Sequence, residues 1–95
     1  MAKRKPGKPR AFEVWVPDVG KASAKIIIST SASKARFEYY RNGNGGRYED
    51  FDFYYSAMQS LRAPEYDGML EEHANAKYQQ EDGWSKRGYL IERHD

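Results

Sequence analysis

The apolar positions change period along the chain, and each change marks an element. In FEVWVP, Phe12, Val14 and Val16 alternate with Glu13 and Trp15, the two-residue period of a strand. Pro17-Asp18-Val19-Gly20 has turn chemistry. AKIIIST, residues 24–30, predicts a second strand, β-branched and flanked by polar residues. The two strands form an antiparallel hairpin with a connection longer than two residues. Three consecutive isoleucines predict that both faces of the second strand are covered.

The period then lengthens. Thr30, Ser31 or Ser33 caps a helix in SASKARFEYYRN, where Ala32, Ala35, Phe37, Tyr39 and Tyr40 span a broad apolar arc. Lys34, Glu38 and Arg41 take the opposite side, and Asn42-Gly43 ends the helix. YEDFDFYYSAMQSLRAP, residues 48–64, fits two periods. As a helix it places Phe51, Tyr54, Tyr55, Met58 and Leu61 on one face, with acidic residues at its positive end. As a strand it alternates at Phe51, Phe53, Tyr55 and Ala57. The helix is the longer match over 49–61, with the strand as the alternative. Residues 65–80 predict a third helix with Tyr66, Met69, Leu70, His73 and Ala76 on its apolar face and Glu71 and Glu72 pointing away; Gly83 stops it. RGYLIER, residues 87–93, predicts a C-terminal strand added to the hairpin's sheet. The fold class is therefore α+β: a small antiparallel sheet, the β-hairpin plus the C-terminal strand, with two or three helices packed on one face.

Charge changes the picture. The net charge of +2 is unevenly spread: residues 1–47 hold eleven Lys/Arg against three acids, and residues 48–82 hold two against nine. The first ten residues carry Lys3, Arg4, Lys5, Lys8 and Arg10 with almost nothing apolar, which predicts a disordered basic arm at 1–10 before a single domain at 11–95. The basic start is followed by no apolar run, so it does not read as a secretory signal. No run of apolar residues is long enough for a membrane helix, and the expected localisation is cytoplasmic. With no cysteine, disulfides and thiolate metal sites are excluded. Attraction between the oppositely charged halves predicts that Arg36 packs its stem in the apolar arc and reaches an acid from residues 48–82.

The motifs do not point to catalysis. Gly43-Asn44-Gly45-Gly46-Arg47 has neither the lysine nor the hydroxyl of a Walker loop, and it follows a helix rather than a strand. It reads as a connector, with phosphate contact by Arg41 and Arg47 as the alternative. His73 and His94 stand apart, so no metal site is expected. No serine lies in a nucleophile elbow. Neither catalytic residues nor cofactors are expected. What remains is a binding surface: the arm cations with Lys34, Arg36, Arg41 and Arg47, and two aromatics expected to face outward, Trp15 and Phe53.

SASKARFEYYRN after a hairpin and LRAPEYD after an aromatic run together resemble short uncharacterised proteins of tailed bacteriophages and prophages. In those, a Ser-Ala-Ser-Lys-Ala-Arg-like helix start precedes an Arg-Ala-Pro-Glu-aromatic-Asp motif. The match spans residues 12–68, with Arg62, Ala63, Pro64, Glu65 and Asp67 at the motif positions. The resemblance implies a phage origin and action on the host or in phage DNA metabolism. The functional expectation is a non-enzymatic protein acting by protein–protein contact on a host or phage partner. The alternatives are a nucleic-acid-binding accessory protein and a phage structural or assembly component.

Overall fold

A computed structural model describes residues 8–17, 19–44 and 58–87. Within them the chain is α+β, a three-stranded antiparallel sheet with a helix on each face. The strands are β1 (Arg10–Trp15), β2 (Lys25–Ser29) and β3 (Gln59–Arg62); the helices are α1 (Ala32–Tyr39) and α2 (Glu71–Gln80). The sheet order is β2-β1-β3, so β1 is central. Arg10 pairs with Ser29 and Val14 with Lys25 on one side, Phe12 with Arg62 and Trp15 with Gln59 on the other.

The alternation in FEVWVP separates two cores rather than core from solvent. Successive strand residues point to opposite faces. Phe12, Val14 and Val16 join Ile27 and Met58 against Ala35 and Tyr39 of α1. Ala11 and Trp15 join Ile26, Ala63, Tyr66 and Trp84 against Ala74 and Tyr78 of α2. The three isoleucines follow the same rule, with Ile27 toward α1 and Ile26 and Ile28 toward α2. This bears out coverage of both faces of β2 and corrects the expectation that the helices share one face.

Two other expectations change, and one falls outside the described residues. The third strand of the described sheet is Gln59–Arg62; the expected C-terminal strand lies, from residue 88 on, outside the described residues. The helix expected over 49–61 therefore gives way to strand at its end; its first part, through residue 57, is not described. The arm expected to run through residue 10 already belongs to β1 at Arg10.

Local chemistry sets the helix ends. The Ser31 hydroxyl accepts the Lys34 N–H at 3.1 Å, as an N-cap should. Past Tyr39 the chain continues in a wider turn, Tyr40–Asn44, so Asn42-Gly43 does not stop it. α2 starts at Glu71; Pro64–Tyr66 is a separate short turn. The hairpin connection is tied to α1: Ser23 Oγ accepts the Val16 N–H at 2.9 Å and donates to Gly20 O at 2.7 Å, and the buried Tyr39 hydroxyl donates to Ser23 O at 2.6 Å. Gly20 sits at φ +74, where a glycine is at ease.

α2 also closes the outer edge of β2. Asn75 Oδ1 accepts the Ile26 N–H at 2.7 Å, and its Nδ2 donates back to Ile26 O at 2.8 Å. Glu71 Oε1 accepts the Ile28 N–H at 2.9 Å. Two side chains thus satisfy backbone groups that would otherwise recruit another strand. Glu71 points at the sheet, contrary to expectation.

Beneath α2 lies an aromatic group. Trp15 and Trp84 meet edge to face at 5.6 Å, Tyr66 and Tyr78 at 6.1 Å. Each such pair adds roughly 0.5–1.5 kcal/mol beyond its buried area. Glu13 is fully buried among them, and the Tyr78 hydroxyl donates to its carboxyl group. Gly83 makes this arrangement possible, since a Cβ there would stand 2.1 Å from Tyr78 Cδ1 and 3.0 Å from the Tyr66 hydroxyl. Gly83→Ala is expected to push Tyr78 off Glu13 and destabilise the fold by about 2 kcal/mol, the range for overpacking a core. Urea unfolding followed by tryptophan fluorescence checks this; an unchanged midpoint would refute it.

Candidate functional site

Among the described residues the most distinctive exposed feature is the outer side of α1. Ala35 and Tyr39 fix the inner side by packing on the sheet. Lys34, Phe37 and Arg41 recur at i, i+3 and i+7, so they share a side, and all three are exposed. Phe37 is 45% exposed, one of three large apolar residues so placed among the described residues. The row spans on the order of 10 Å at 1.5 Å rise per residue. Lys34 and Arg41 enter no ion pair with another described residue. Arg10 pairs with Ser29, two residues before the Ser31 cap. The root of the basic arm therefore stands at the Lys34 end of the row, where Lys8 and Arg10 are also exposed.

Other expected contact residues divide. Arg36 is half-buried beside the row; Nη1 donates to Ser60 Oγ of β3 at 2.7 Å and Nη2 to Ser33 Oγ at 3.4 Å. Both of these acceptors are hydroxyls, where the charge pattern predicts a carboxylate from residues 48–82. Trp15, expected outside, is 3% exposed, because α2 and Trp84 cover that face of β1. Phe53, Arg47, Lys3, Arg4 and Lys5 lie outside the described residues. The apolar pattern of the segment puts Phe37 in the arc, yet it stands two residues from both Ala35 and Tyr39, about 200° around the helix from each. That spacing is the signal that could have identified it.

The opposite helix is otherwise occupied. His73 is exposed on α2, 3.9 Å from Glu72, rather than on an apolar face. The helix begins at Glu71, so the phase read from Tyr66 and Met69 does not carry through it; Ala74 and Tyr78 form the buried side. An open pocket of about 270 Å³ lies beside Lys21, Ala24, Tyr78, Asp82, Gly83 and Trp84. Lys21 Nζ bridges Asp82 at 3.0 Å across it, and this pair with the Ser85 hydroxyl holds the Asp82 carboxyl below its ordinary pKa. The bridge joins the basic and acidic parts of the chain, but the pocket brings no nucleophile and base together. No group of three or more His, Asp or Glu capable of holding a metal occurs among the described residues. Among them, too, no helix is long and apolar enough to cross a membrane.

The RAPEYD stretch proves to be a clasp. Arg62 Nη1 and Nη2 donate to Asp67 Oδ1 and Oδ2 at 2.8 and 2.5 Å, and Nη1 also reaches Ala11 O at 3.0 Å. Asp67 Oδ1 accepts the Ala11 N–H at 2.8 Å. The Arg62 guanidinium also lies 5.6 Å from the centre of the Phe12 ring. Arg62 and Asp67 thus tie the turn after β3 to the start of β1. A bidentate pair of this kind has a geometric reason to recur at this spacing.

No family model, curated protein or solved structure matches the chain, so this chain's own geometry carries the functional reading.

The clasp predicts a pH dependence. The hydrogen bonds from Arg62, and then that from Ala11, hold the Asp67 carboxyl below the usual aspartate range. Its folded pKa is lowered, so its contribution is complete above the unfolded value of about 3.9 and is lost as pH falls through the folded value. Asp67→Asn is expected to cost about 1 kcal/mol at neutral pH, discounted for partial exposure, and to flatten the acid limb of the stability curve. Urea midpoints between pH 2 and 7 decide it; parallel wild-type and variant curves would refute the clasp.

Proposed function

We propose that this chain is a non-enzymatic binding protein that engages an anionic partner through the outer side of α1. One observation carries the reading: Phe37 stands exposed between Lys34 and Arg41, on a helix whose other side is locked to the sheet. An exposed aromatic flanked by cations costs solubility, and such residues are the usual anchors of interfaces. The helix is preformed, so little ordering entropy opposes binding. The basic arm enters as a steering element, raising the rate of encounter at low salt. The resemblance to short phage proteins, on the same reading, supports a host or phage component of the bacterial cytoplasm as the partner.

The test uses the intact protein as bait in bacterial lysate. The K34E/F37A/R41E variant is expected to keep the wild-type melting temperature, because all three side chains are exposed. It is expected to lose at least one partner that the wild type retains at low salt and releases at high salt. Deleting residues 1–8, which precede β1, should weaken capture without changing melting. Identical retained components for wild type and the triple variant would remove α1 from the function.

A further inference from the structure

We infer that the outer edge of β2 is a strand-addition surface held shut by α2, and that its occupant, once uncovered, is β2 of a second copy of this chain. The α1 surface plays no part in this. Asn75 exchanges two hydrogen bonds with Ile26: Oδ1 accepts its N–H at 2.7 Å, and Nδ2 donates to its carbonyl at 2.8 Å. A residue of a neighbouring antiparallel strand would exchange the same two bonds. Glu71 Oε1 accepts the next outward N–H, that of Ile28, at 2.9 Å. One side of α2 thus imitates a strand along this edge. Asn75 Nδ2 also donates to Glu71 O at 3.0 Å, which ties the two guarding residues together.

The guard is lightly fastened at its start. The N-cap of α2 is Leu70, which has no side-chain oxygen to cap the helix and is 63% exposed. The first turn therefore leans on the Glu71 bond to β2 in place of a cap. What lies beneath favours self-pairing. β2 is Lys-Ile-Ile-Ile-Ser, β-branched, without proline and with one charge. Ile26 and Ile28 both direct backbone groups outward, so two copies can meet antiparallel about a two-fold axis at Ile27. Ile26 of each copy then bonds Ile28 of the other. Ile27 meets its own counterpart on the face that α1 covers. Lys25 falls opposite Ser29 rather than opposite another lysine. An unrelated strand would take the same backbone bonds without this self-match.

The test is sedimentation velocity and cross-linking of the full chain, which has no cysteine of its own. E71A/N75L removes both guarding side chains and is expected to sediment as a dimer or larger at concentrations where the wild type is monomeric. K25C and S29C are then introduced singly and mixed under mild oxidation. In the proposed register, residues 25 and 29 of different copies form a non-hydrogen-bonded pair about 4.5 Å apart at Cα, within reach of a disulfide. Within one chain they stand about 13 Å apart. The mixture is expected to give a disulfide-linked dimer in the E71A/N75L background, well above either variant alone, and little in the wild-type background. If E71A/N75L does not fold, N75D and E71Q replace it, with the same cysteine pairs. N75D loses the donor to Ile26 O and is expected to associate; E71Q keeps an acceptor for the Ile28 N–H and is expected to stay monomeric. A folded, monomeric guard variant would overturn the inference. So would association without the K25C–S29C link, or equal linking in the wild-type background.

Discussion

Glu13 is the constraint around which the rest is arranged. It sits on the central strand with both neighbours paired, and its side chain has no exposure at all. A buried carboxyl group must find hydrogen-bonding partners inside the protein or cost several kcal/mol. Tyr78 supplies one from α2, which fixes the rotation of that helix and its distance from the sheet. Once Tyr78 is set, Asn75 and Glu71 fall one and two turns earlier, on the side facing β2, where they close its edge. Gly83 follows because Tyr78 leaves no room for a Cβ. A polar group in the core thus specifies one docking of a helix that apolar burial through Ala74 alone would leave loose.

The sheet separates the two halves of the charge pattern instead of bringing them face to face. α1, from the basic half, and α2, from the acidic half, cover opposite faces. Charged links between the halves include Lys21 with Asp82, and Asp67 with the backbone of Ala11, beside the pairing of β1 with β3 and the packing of α2 on β2. Exposed ion pairs of this sort stabilise little. The asymmetry of the sequence is therefore expressed mostly on the surface, as two helical faces of different character.

The hairpin, the Ser31 cap and α1 were legible because each is a local pattern, readable from the residues it contains. β3 was not, because MQSLR carries no strand period of its own; it is a strand because β1 offers it an unpaired edge, and tertiary pairing outweighs weak local preference. The face of α2 was misread because Tyr66 and Met69 belong to the turn before it, so a period begun there is out of phase. Glu13 and Trp15 shared a face in the sequence as in the structure, but nothing local could say that a helix would cover that face. For the same reason Trp15 looked like an anchor and Phe37 like core. Burial depends on what packs against a residue, and only the helical angle of Phe37 was available to betray it.

The two helices divide structural from external duties, and that division favours α1 as the working surface. On α2, Glu71, Asn75 and Tyr78 are all committed to groups of the sheet, and Glu81 bridges Lys86. Altering that helix would reach the core at once. On α1 the sheet is met by Ala35 and Tyr39, and the cap is made by Ser31 with the Lys34 N–H; the side chains of Lys34 and, just past the helix, Arg41 contribute to none of this. A surface whose side chains are not needed for folding can change with its partner at little cost to stability, since substitutions there usually stay within about 0.5 kcal/mol. Phe37 stands 45% exposed in that row, between two cations, and this is the position on which the proposed binding role rests.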